Sequence, residues 1–281
     1  MNSVSNHREA LLRISMAKKA LWRAKKALQG RLETAPYWLL YHAPISFKPV
    51  RGVRYFCQNA GSSGSMYIIK LLKANGISGC FHEKPPDVFD ELGVKYFEGM
   101  VGDSGIKRLL IKSRSSVFFE ANNRLFAVSQ LLKDCFPDAR FIHLHRDPRD
   151  YVSSELGKRY ALSWGSGRYR YTSTKLNGSL ESAFMQRVCN YWNNYNARIL
   201  EDLEEEDCLS LKFSDLVNGN VDELEDFLGI KLWVRKTQPV NASKPQRKEG
   251  RYPPFESWSQ DDRNSLIAIC GSTMQALGYE L

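Results

Sequence analysis

One segment, residues 118–154, constrains the fold of this chain more than any other. It reads FFEANNRLFAVSQLLKDCFPDARFIHLHRDPRDYVSS, which predicts a strand, a helix, a second strand and a sharp turn into another helix. The second strand, Arg140 to His145, leads into Arg146, and Pro148 stands where a first helical turn tolerates a missing N–H. Ser154 lies two turns into that helix. Because ligands of open α/β sheets bind at the carboxyl edge of the strands, this arginine and hydroxyl are typical of a phosphate receptor.

The same segment resembles the sulfotransferases that use 3′-phosphoadenosine 5′-phosphosulfate (PAPS). In that family a strand, an Arg-Asp-Pro-Arg-Asp turn and a helix with a serine form the site for the 3′-phosphate. The resemblance implies that Arg146 and Ser154 bind this phosphate. It is most specific over FPDARFIHLHRDPRDYVSS and extends more weakly over residues 51–281. From the residues alone, RDPRD is equally compatible with a charged strand-to-helix turn.

Strands and helices alternate along residues 51–281, which predicts a parallel sheet with right-handed crossovers. We therefore expect an α/β fold of three layers, α/β/α, around a central parallel sheet. The resemblance implies the P-loop-like sulfotransferase fold. Residues 51–281 would form the catalytic domain, and residues 1–50 a basic amphipathic helix and a strap. The predicted strands are Val53–Gln58, Gly79–Glu83, Val117–Ala121, Arg140–His145 and Cys208–Phe213.

Positive charge is concentrated near the N-terminus. The formal net charge is +9, and residues 1–33 hold eight lysines and arginines against two glutamates. Apolar residues at helical spacing predict an amphipathic helix over residues 7–30. Its apolar stripe could lie on an anionic membrane surface, or it could pack against the catalytic domain or a second subunit. The alanines in the stripe favour packing. A nucleic-acid partner is not expected, since this helix is the one feature that suggests it.

Cysteine spacing and hydropathy bear on the compartment. The six cysteines are scattered and form no CxxC pair, which favours reduced thiols over disulfides or a zinc site. No apolar run reaches the roughly 18 residues that a membrane span needs, and no signal-peptide core follows the first basic residues. We expect a cytoplasmic protein that uses no metal.

A Gly/Ser turn follows the first predicted strand and opens a helix. Its backbone N–H groups can hold a phosphate, although such a turn can also be an ordinary tight turn. The resemblance implies that it binds the 5′-phosphosulfate of PAPS through Gly61, Ser62, Ser63, Gly64, Ser65 and Met66. A P-loop kinase would need lysine directly after Gly64, where this chain has Ser65. A nucleotide kinase therefore remains an alternative on fold grounds only.

Ser62 departs from the family pattern, which has arginine or lysine at this position. That cation stabilises charge on the leaving phosphate, and such stabilisation is a large part of catalysis in transfer reactions of this kind. Either another basic residue replaces it or activity is reduced. The second case is a catalytically weak protein that binds nucleotide or glycan. The candidate replacements are Lys107, Lys112, Arg114, Arg168 and Arg170.

Residues at two predicted strand ends are candidates for the base that deprotonates an acceptor hydroxyl. Glu120 follows Val-Phe-Phe near the end of the third strand, where partial desolvation would raise its pKa. It could equally be a solvated residue next to a helix N-cap. Polysaccharide sulfotransferases carry a catalytic glutamate at a similar place, so the resemblance favours the base and a sugar hydroxyl as acceptor. His82 and Glu83, at the end of the predicted strand Gly79–Glu83, could contact the acceptor or assist as a base, although a lone His-Glu pair is more often structural.

Further positions follow from the resemblance alone. Phe213, in LKFSDLV, would lie near the adenine, although a core aromatic is an equally good interpretation. A loop that closes on the 3′-phosphate is implied at Arg247, Lys248 and Gly250, where Glu249 interrupts the Arg-Lys-Gly pattern of the family. The predicted acceptor is a glycan or glycolipid.

Overall fold

The computed structural model describes residues 48–84, 96, 102–157, 180–202, 208–238 and 254–281. The predicted N-terminal helix, most of the strap and the Ser/Gly-rich segment before residue 180 lie outside these ranges. The same holds for several predicted site residues and cation candidates, namely Arg168, Arg170, Arg247, Lys248 and Gly250. Within the described ranges, no helix has the length and apolar character needed to cross a membrane.

A five-stranded parallel sheet forms the centre of the described protein. Its order is β2-β3-β1-β4-β5, and every neighbouring pair is parallel. The predicted α/β fold with a central parallel sheet is thus confirmed, with strand ends within two residues of the predicted ones. The strands are β1 (Arg54–Gln58), β2 (Cys80–His82), β3 (Phe119–Ala121), β4 (Ala139–His145) and β5 (Cys208–Lys212).

Eight α-helices are described around the sheet. They are α1 (Ser65–Ala74), α2 (Asp103–Arg114), α3 (Ser129–Cys135), α4 (Pro148–Gly157), α5 (Leu180–Asp202), α6 (Phe213–Asn218), α7 (Asp222–Leu228) and α8 (Gln260–Ala276). Short 3-10 helices occupy Leu125–Val128 and Phe255–Ser257. Phe213, predicted as the last residue of the fifth strand, instead begins α6. The side chain of Phe213 is only half-buried there.

Two apolar cores lie on opposite faces of the sheet and make the three layers. Strand β1 is buried along its whole length and supplies both cores, because successive side chains point to opposite faces. Phe56 belongs to the core formed with α2, α3, α4, α5 and α8. Tyr55 and Cys57 belong to the core formed with α1, α6 and α7. All strand carboxyl ends therefore meet at one edge between two layers of helices.

A buried polar network lies beneath that edge, on the α5 side of β4. His143 Nε2 is 2.7 Å from Asn196 Oδ1, and His145 Nδ1 is 2.7 Å from the Tyr279 hydroxyl. His145 Nε2 also lies 3.1 Å from Ser210 Oγ. Burial lowers the pKa of His143 from 6.5 to about 4, and the bond to Asn196 opposes this only in part. The neutral imidazole is thus the form that stabilises the fold.

We expect the stability of the protein to fall as the pH is lowered from 6.5 towards 4. The unfolded chain binds more protons there, because the pKa of His143 is lower in the folded state. At about 1.4 kcal/mol per pKa unit, His143 contributes about 3 kcal/mol above pH 6.5, and acidification removes it. Urea unfolding at pH 7 and pH 4.5 should show a smaller acid loss for His143→Gln than for the wild type. Equal losses in both proteins would contradict this assignment.

Candidate functional site

The Gly/Ser loop, residues 59–65, connects β1 to α1 through left-handed backbone conformations. Gly61, Ser62 and Gly64 have φ angles of 72°, 50° and 100°. For a residue with a side chain, this conformation costs about 1–2 kcal/mol, so the neighbours of Ser62 must hold it there. Such strained positions cluster at functional sites.

Helix α1 begins directly after Gly64, an N-cap residue that has no side chain to cap the first turn. The Gly64 carbonyl accepts hydrogen bonds from the N–H groups of Tyr67 (2.8 Å) and Ile68 (3.1 Å). The N–H groups of Ser65 and Met66 precede these donors, at the positive end of the helix dipole. Residues 61–66 thus come together at one helix N-terminus whose backbone suits phosphate oxygens.

Phe213 fixes the shape of the Gly/Ser loop from across the sheet edge. A Cβ atom at Gly64 would lie 2.1 Å from Cδ2 of Phe213, so no larger residue fits there without movement. The ring also meets Tyr67 edge-on, at 6.0 Å between centroids. Phe213 therefore contacts the predicted cofactor loop. Its predicted role next to an adenine stays a prediction.

Arg146 follows the last residue of β4 and lies at the same edge. Its backbone carbonyl accepts a 2.9 Å hydrogen bond from Trp192 Nε1, which fixes the start of the turn. Its Cζ lies 5.6 Å from the centroid of the Phe213 ring, and its Nη2 lies 3.8 Å from Asp150 Oδ2. In the part of the chain that is described, Arg146 Nε is buried without a hydrogen-bond partner. Such a donor is costly unless a ligand supplies the acceptor.

Ser154 lies on α4, the helix that starts two residues after Arg146, and its side chain is half-buried. The structure thus brings the predicted ligands of a 3′-phosphate to the same edge as the Gly/Ser loop. The Arg146 Nε, which has no hydrogen-bond partner among the described residues, and the N-terminus of α1 together fit a ligand with two separate anionic groups.

Glu120 has a different environment from the one that its sequence context predicts. It is fully buried with Arg114 in a two-pronged ion pair, at 3.0 Å from Arg114 Nε to Oε2 and 3.1 Å from Nη2 to Oε1. Asn122 Nδ2 and the backbone N–H of Lys84 also donate to Oε1, at 3.1 and 3.2 Å. These four hydrogen bonds engage both oxygens of the carboxylate. The Glu120 side chain is fully buried in this arrangement, and its predicted role as a base stays a prediction.

The same pair fixes the chain beyond β2. Arg114 Nη2 donates to the Lys84 carbonyl at 2.7 Å, while Glu120 accepts from the Lys84 N–H. Both backbone groups of Lys84 are thus held, two residues after His82. The ion pair therefore sets where the end of β2 lies.

His82 is the titratable group that this arrangement presents to the loop. Its Nε2 lies 3.0 Å from Ser65 Oγ, and the side chain is half-buried. Desolvation lowers the pKa of His82 below 6.5, with Glu83 opposing the shift. A neutral imidazole beside the Gly/Ser loop has the protonation state that a general base needs at pH 7.

The candidate replacements for the cation that the resemblance implies at Ser62 are paired with a carboxylate, exposed, or outside the described ranges. Lys107 Nζ forms an ion pair with Asp134 Oδ2 at 2.6 Å, and Arg114 is committed to Glu120. Lys112 is exposed on α2. Ser62 itself donates a hydrogen bond to Glu155, a fully buried carboxylate on α4.

Sequence reasoning missed three contributors to this site: Arg114 as the partner of Glu120, and Tyr151 and Glu155 on α4. The Tyr151 hydroxyl donates to the Ala60 carbonyl at 3.0 Å. The spacing of Tyr151 and Glu155, one helical turn apart directly after RDPRD, was the available signal. In the described ranges, no group of three or more His, Cys, Asp or Glu side chains could hold a metal ion.

The chain is similar to proteins of a known family. Residues 72–234 match the profile of the "Sulfotransferase family", which is more than half of the chain. A search of curated proteins found no match. Two similar solved structures are the sulfotransferase domain from the curacin biosynthetic pathway and a sulfotransferase from Alicyclobacillus acidocaldarius. The first has 14% identity and a TM-score of 0.47, and covers 84% of this chain and 100% of that chain. The second has 15% identity and a TM-score of 0.45, and covers 84% and 98%.

Proposed function

The chain belongs to the sulfotransferase family, and from this premise we propose that it transfers the sulfuryl group of PAPS to a hydroxyl of a carbohydrate or glycoconjugate. One observation carries the proposal. The Gly/Ser loop and Arg146 lie at one sheet edge, where the N-terminus of α1 and a buried guanidinium nitrogen without a hydrogen-bond partner among the described residues can both bind anionic groups. A nucleotide with a phosphate at each end of its ribose matches this pair of sites.

Different residues would bind the two ends of PAPS. The backbone of residues 61–66 would hold the 5′-phosphosulfate, and Arg146 with Ser154 would hold the 3′-phosphate. Phe213, which contacts the loop and lies near Arg146, would be next to the adenine. When bound, PAPS supplies the sulfuryl group, and its bisphosphate is the leaving group. The loop N–H groups would stabilise the charge that develops there.

His82 is our candidate for the base, and Glu120 becomes a positioning residue. His82 would accept the proton of the acceptor hydroxyl, because its lowered pKa keeps the imidazole neutral and Ser65 orients it. Glu120 would act through Arg114 and the backbone of Lys84, which fix the end of β2. This replaces the role for Glu120 that its sequence context favours.

Polar side chains beyond β2 support a hydroxyl-rich acceptor. Glu83 Oε2 and Arg124 Nη1 are 3.4 Å apart, and both side chains are partly exposed. Glu83 also has a left-handed φ of 49°, a strained conformation of the kind found at binding sites. Carboxylate and guanidinium groups can together accept from and donate to sugar hydroxyls.

The proposed function is tested by calorimetric titration of the purified full chain with 3′-phosphoadenosine 5′-phosphate (PAP), with ATP as the control ligand. We expect micromolar binding of PAP and an affinity for ATP that is at least about ten-fold weaker, since ATP lacks the 3′-phosphate. Preference for ATP would favour the nucleotide kinase instead. Absence of PAP binding by folded protein would refute the proposed donor.

A further inference from the structure

Helix α4 contacts the Gly/Ser loop at two points. The Tyr151 hydroxyl donates to the Ala60 carbonyl at 3.0 Å, and the Glu155 carboxylate accepts from the Ser62 hydroxyl. Tyr151 and Glu155 are both fully buried. Their spacing of one helical turn places both on the same face of α4. The helix thus holds the loop on either side of Gly61.

The other proposed anion site belongs to the same helix. Arg146 directly precedes the turn that starts α4, and Ser154 is next to Glu155 on it. The Tyr151 N–H donates to the Asp147 carbonyl at 2.8 Å, which ties the turn to the helix. Any movement of α4 that accompanies binding at Arg146 and Ser154 would therefore reach the Gly/Ser loop.

We propose that Tyr151 and Glu155 are positioning residues that couple the two ends of the donor site. Occupation of the 3′-phosphate end would then favour the loop conformation that binds the 5′ end. This inference rests on the proposed function and deepens it. With such coupling, the enzyme would select a 3′-phosphorylated donor in two ways. The 3′-phosphate would make its own contacts, and it would also strengthen binding at the 5′ end.

Two features of Ser62 and Glu155 support the coupling. Ser62 has a left-handed backbone conformation that its own side chain disfavours, so an outside contact must maintain it. Glu155 supplies such a contact. A carboxylate near an anion-binding loop also repels the anion. The hydrogen bond from Ser62 to Glu155 would offset this repulsion by keeping Ser62 in the conformation that binds the ligand.

Coupling between two sites is reciprocal and can be measured with ligands that occupy one end or both. PAP carries both phosphates, whereas adenosine 5′-phosphate (AMP) carries only the 5′ one. The ratio of the AMP to the PAP dissociation constant reports what the 3′-phosphate contributes. If α4 transmits that contribution to the Gly/Ser loop, removing the contacts between α4 and the loop must lower the ratio of the AMP to the PAP dissociation constant.

The experiment is calorimetric titration of PAP and AMP into the wild type, Tyr151→Phe, Glu155→Leu and Glu155→Gln. We expect the ratio to fall by about five-fold in Tyr151→Phe and by about ten-fold in Glu155→Leu, as for a lost neutral and a lost charged hydrogen bond. Glu155→Gln keeps an acceptor for Ser62 and should stay within about three-fold of the wild type. A merely structural role would leave the ratio unchanged, whatever it did to stability.

The titrations distinguish a failure of the coupling from a failure of the proposed function. Equal weakening of PAP and AMP in the variants, with PAP binding intact in the wild type, overturns the coupling and leaves the proposed function standing. No PAP binding by the wild type overturns both. If Glu155→Leu does not fold, Tyr151→Phe decides, because it removes one hydroxyl and keeps the buried ring.

Discussion

Replacing Arg146 with alanine is expected to weaken PAP binding by about 100-fold or more. A phosphate held by a guanidinium makes charge-assisted hydrogen bonds, each worth about 1.5–3 kcal/mol. Arg146 has a buried Nε without a partner in the described ranges, so its hydrogen-bonding capacity is available to a ligand. Calorimetric titration with PAP measures the loss, and circular dichroism confirms that the variant is folded.

Arg149→Ala is the matched control, because it removes the same charge from the same turn. Arg149 is engaged with Asp147, at 2.6 Å from Nη2 to Oδ2, and the resemblance gives it no ligand. We expect its PAP affinity to stay within about three-fold of the wild type, because salt in the solvent screens the interaction of a partly exposed charge with the ligand. Equal losses in both variants would point to a general electrostatic effect. Unchanged affinity in Arg146→Ala would refute the 3′-phosphate assignment.

Replacing Glu120 with glutamine is expected to lower the free energy of unfolding by about 3–5 kcal/mol. Both members of the Arg114–Glu120 pair have fully buried side chains. Removing one charge therefore leaves the other buried without its partner, which costs much more than the intact pair contributes. Urea unfolding at pH 7 gives the value.

Glu201→Gln is the control for a lost carboxylate in an ion pair. Glu201 Oε2 lies 3.9 Å from Arg198 Nη1, and its side chain is 69% exposed. Exposed pairs contribute about 0–1 kcal/mol, so the stability should hardly change. A small effect of Glu120→Gln, similar to that of Glu201→Gln, would contradict the importance of the buried pair.

The rate of sulfuryl transfer distinguishes between His82 and Glu120 as candidates for the base. His82→Gln should lower the rate of sulfuryl transfer by about 100-fold or more while the protein stays folded and binds PAP, as for loss of a general base. A stable Glu120→Gln variant without turnover would restore the base role of Glu120. Full activity of His82→Gln would remove His82 from the mechanism.

Local sequence signals determined the architecture and one half of the site. Short apolar strands bounded by turns predicted all five described strands, because strand burial leaves its pattern in a few consecutive residues. The RDPRD segment placed Arg146 at a strand end and Ser154 on the following helix. The Gly/Ser turn was equally visible, since left-handed backbone positions select glycine.

The resemblance also implies that Ser62 stands where the family has a cation. The sequence did not reveal Glu155 beside it, because a glutamate in a polar helical segment gives no sign of being buried. The role of Glu120 was likewise decided by its surroundings. Its six-residue separation from Arg114 spans the end of a helix, a turn and a strand, and only their packing turns the two side chains towards each other.

What the tertiary structure alone decided is how distant segments meet at the sheet edge. The ring of Phe213 fills the space above Gly64, and α4 holds the Gly/Ser loop through Tyr151 and Glu155. These contacts join residues far apart in the chain, and each depends on the order of strands in the sheet. Secondary structure follows from neighbouring residues, whereas a side chain's burial and partners follow from close packing of elements that the sequence brings together only after folding.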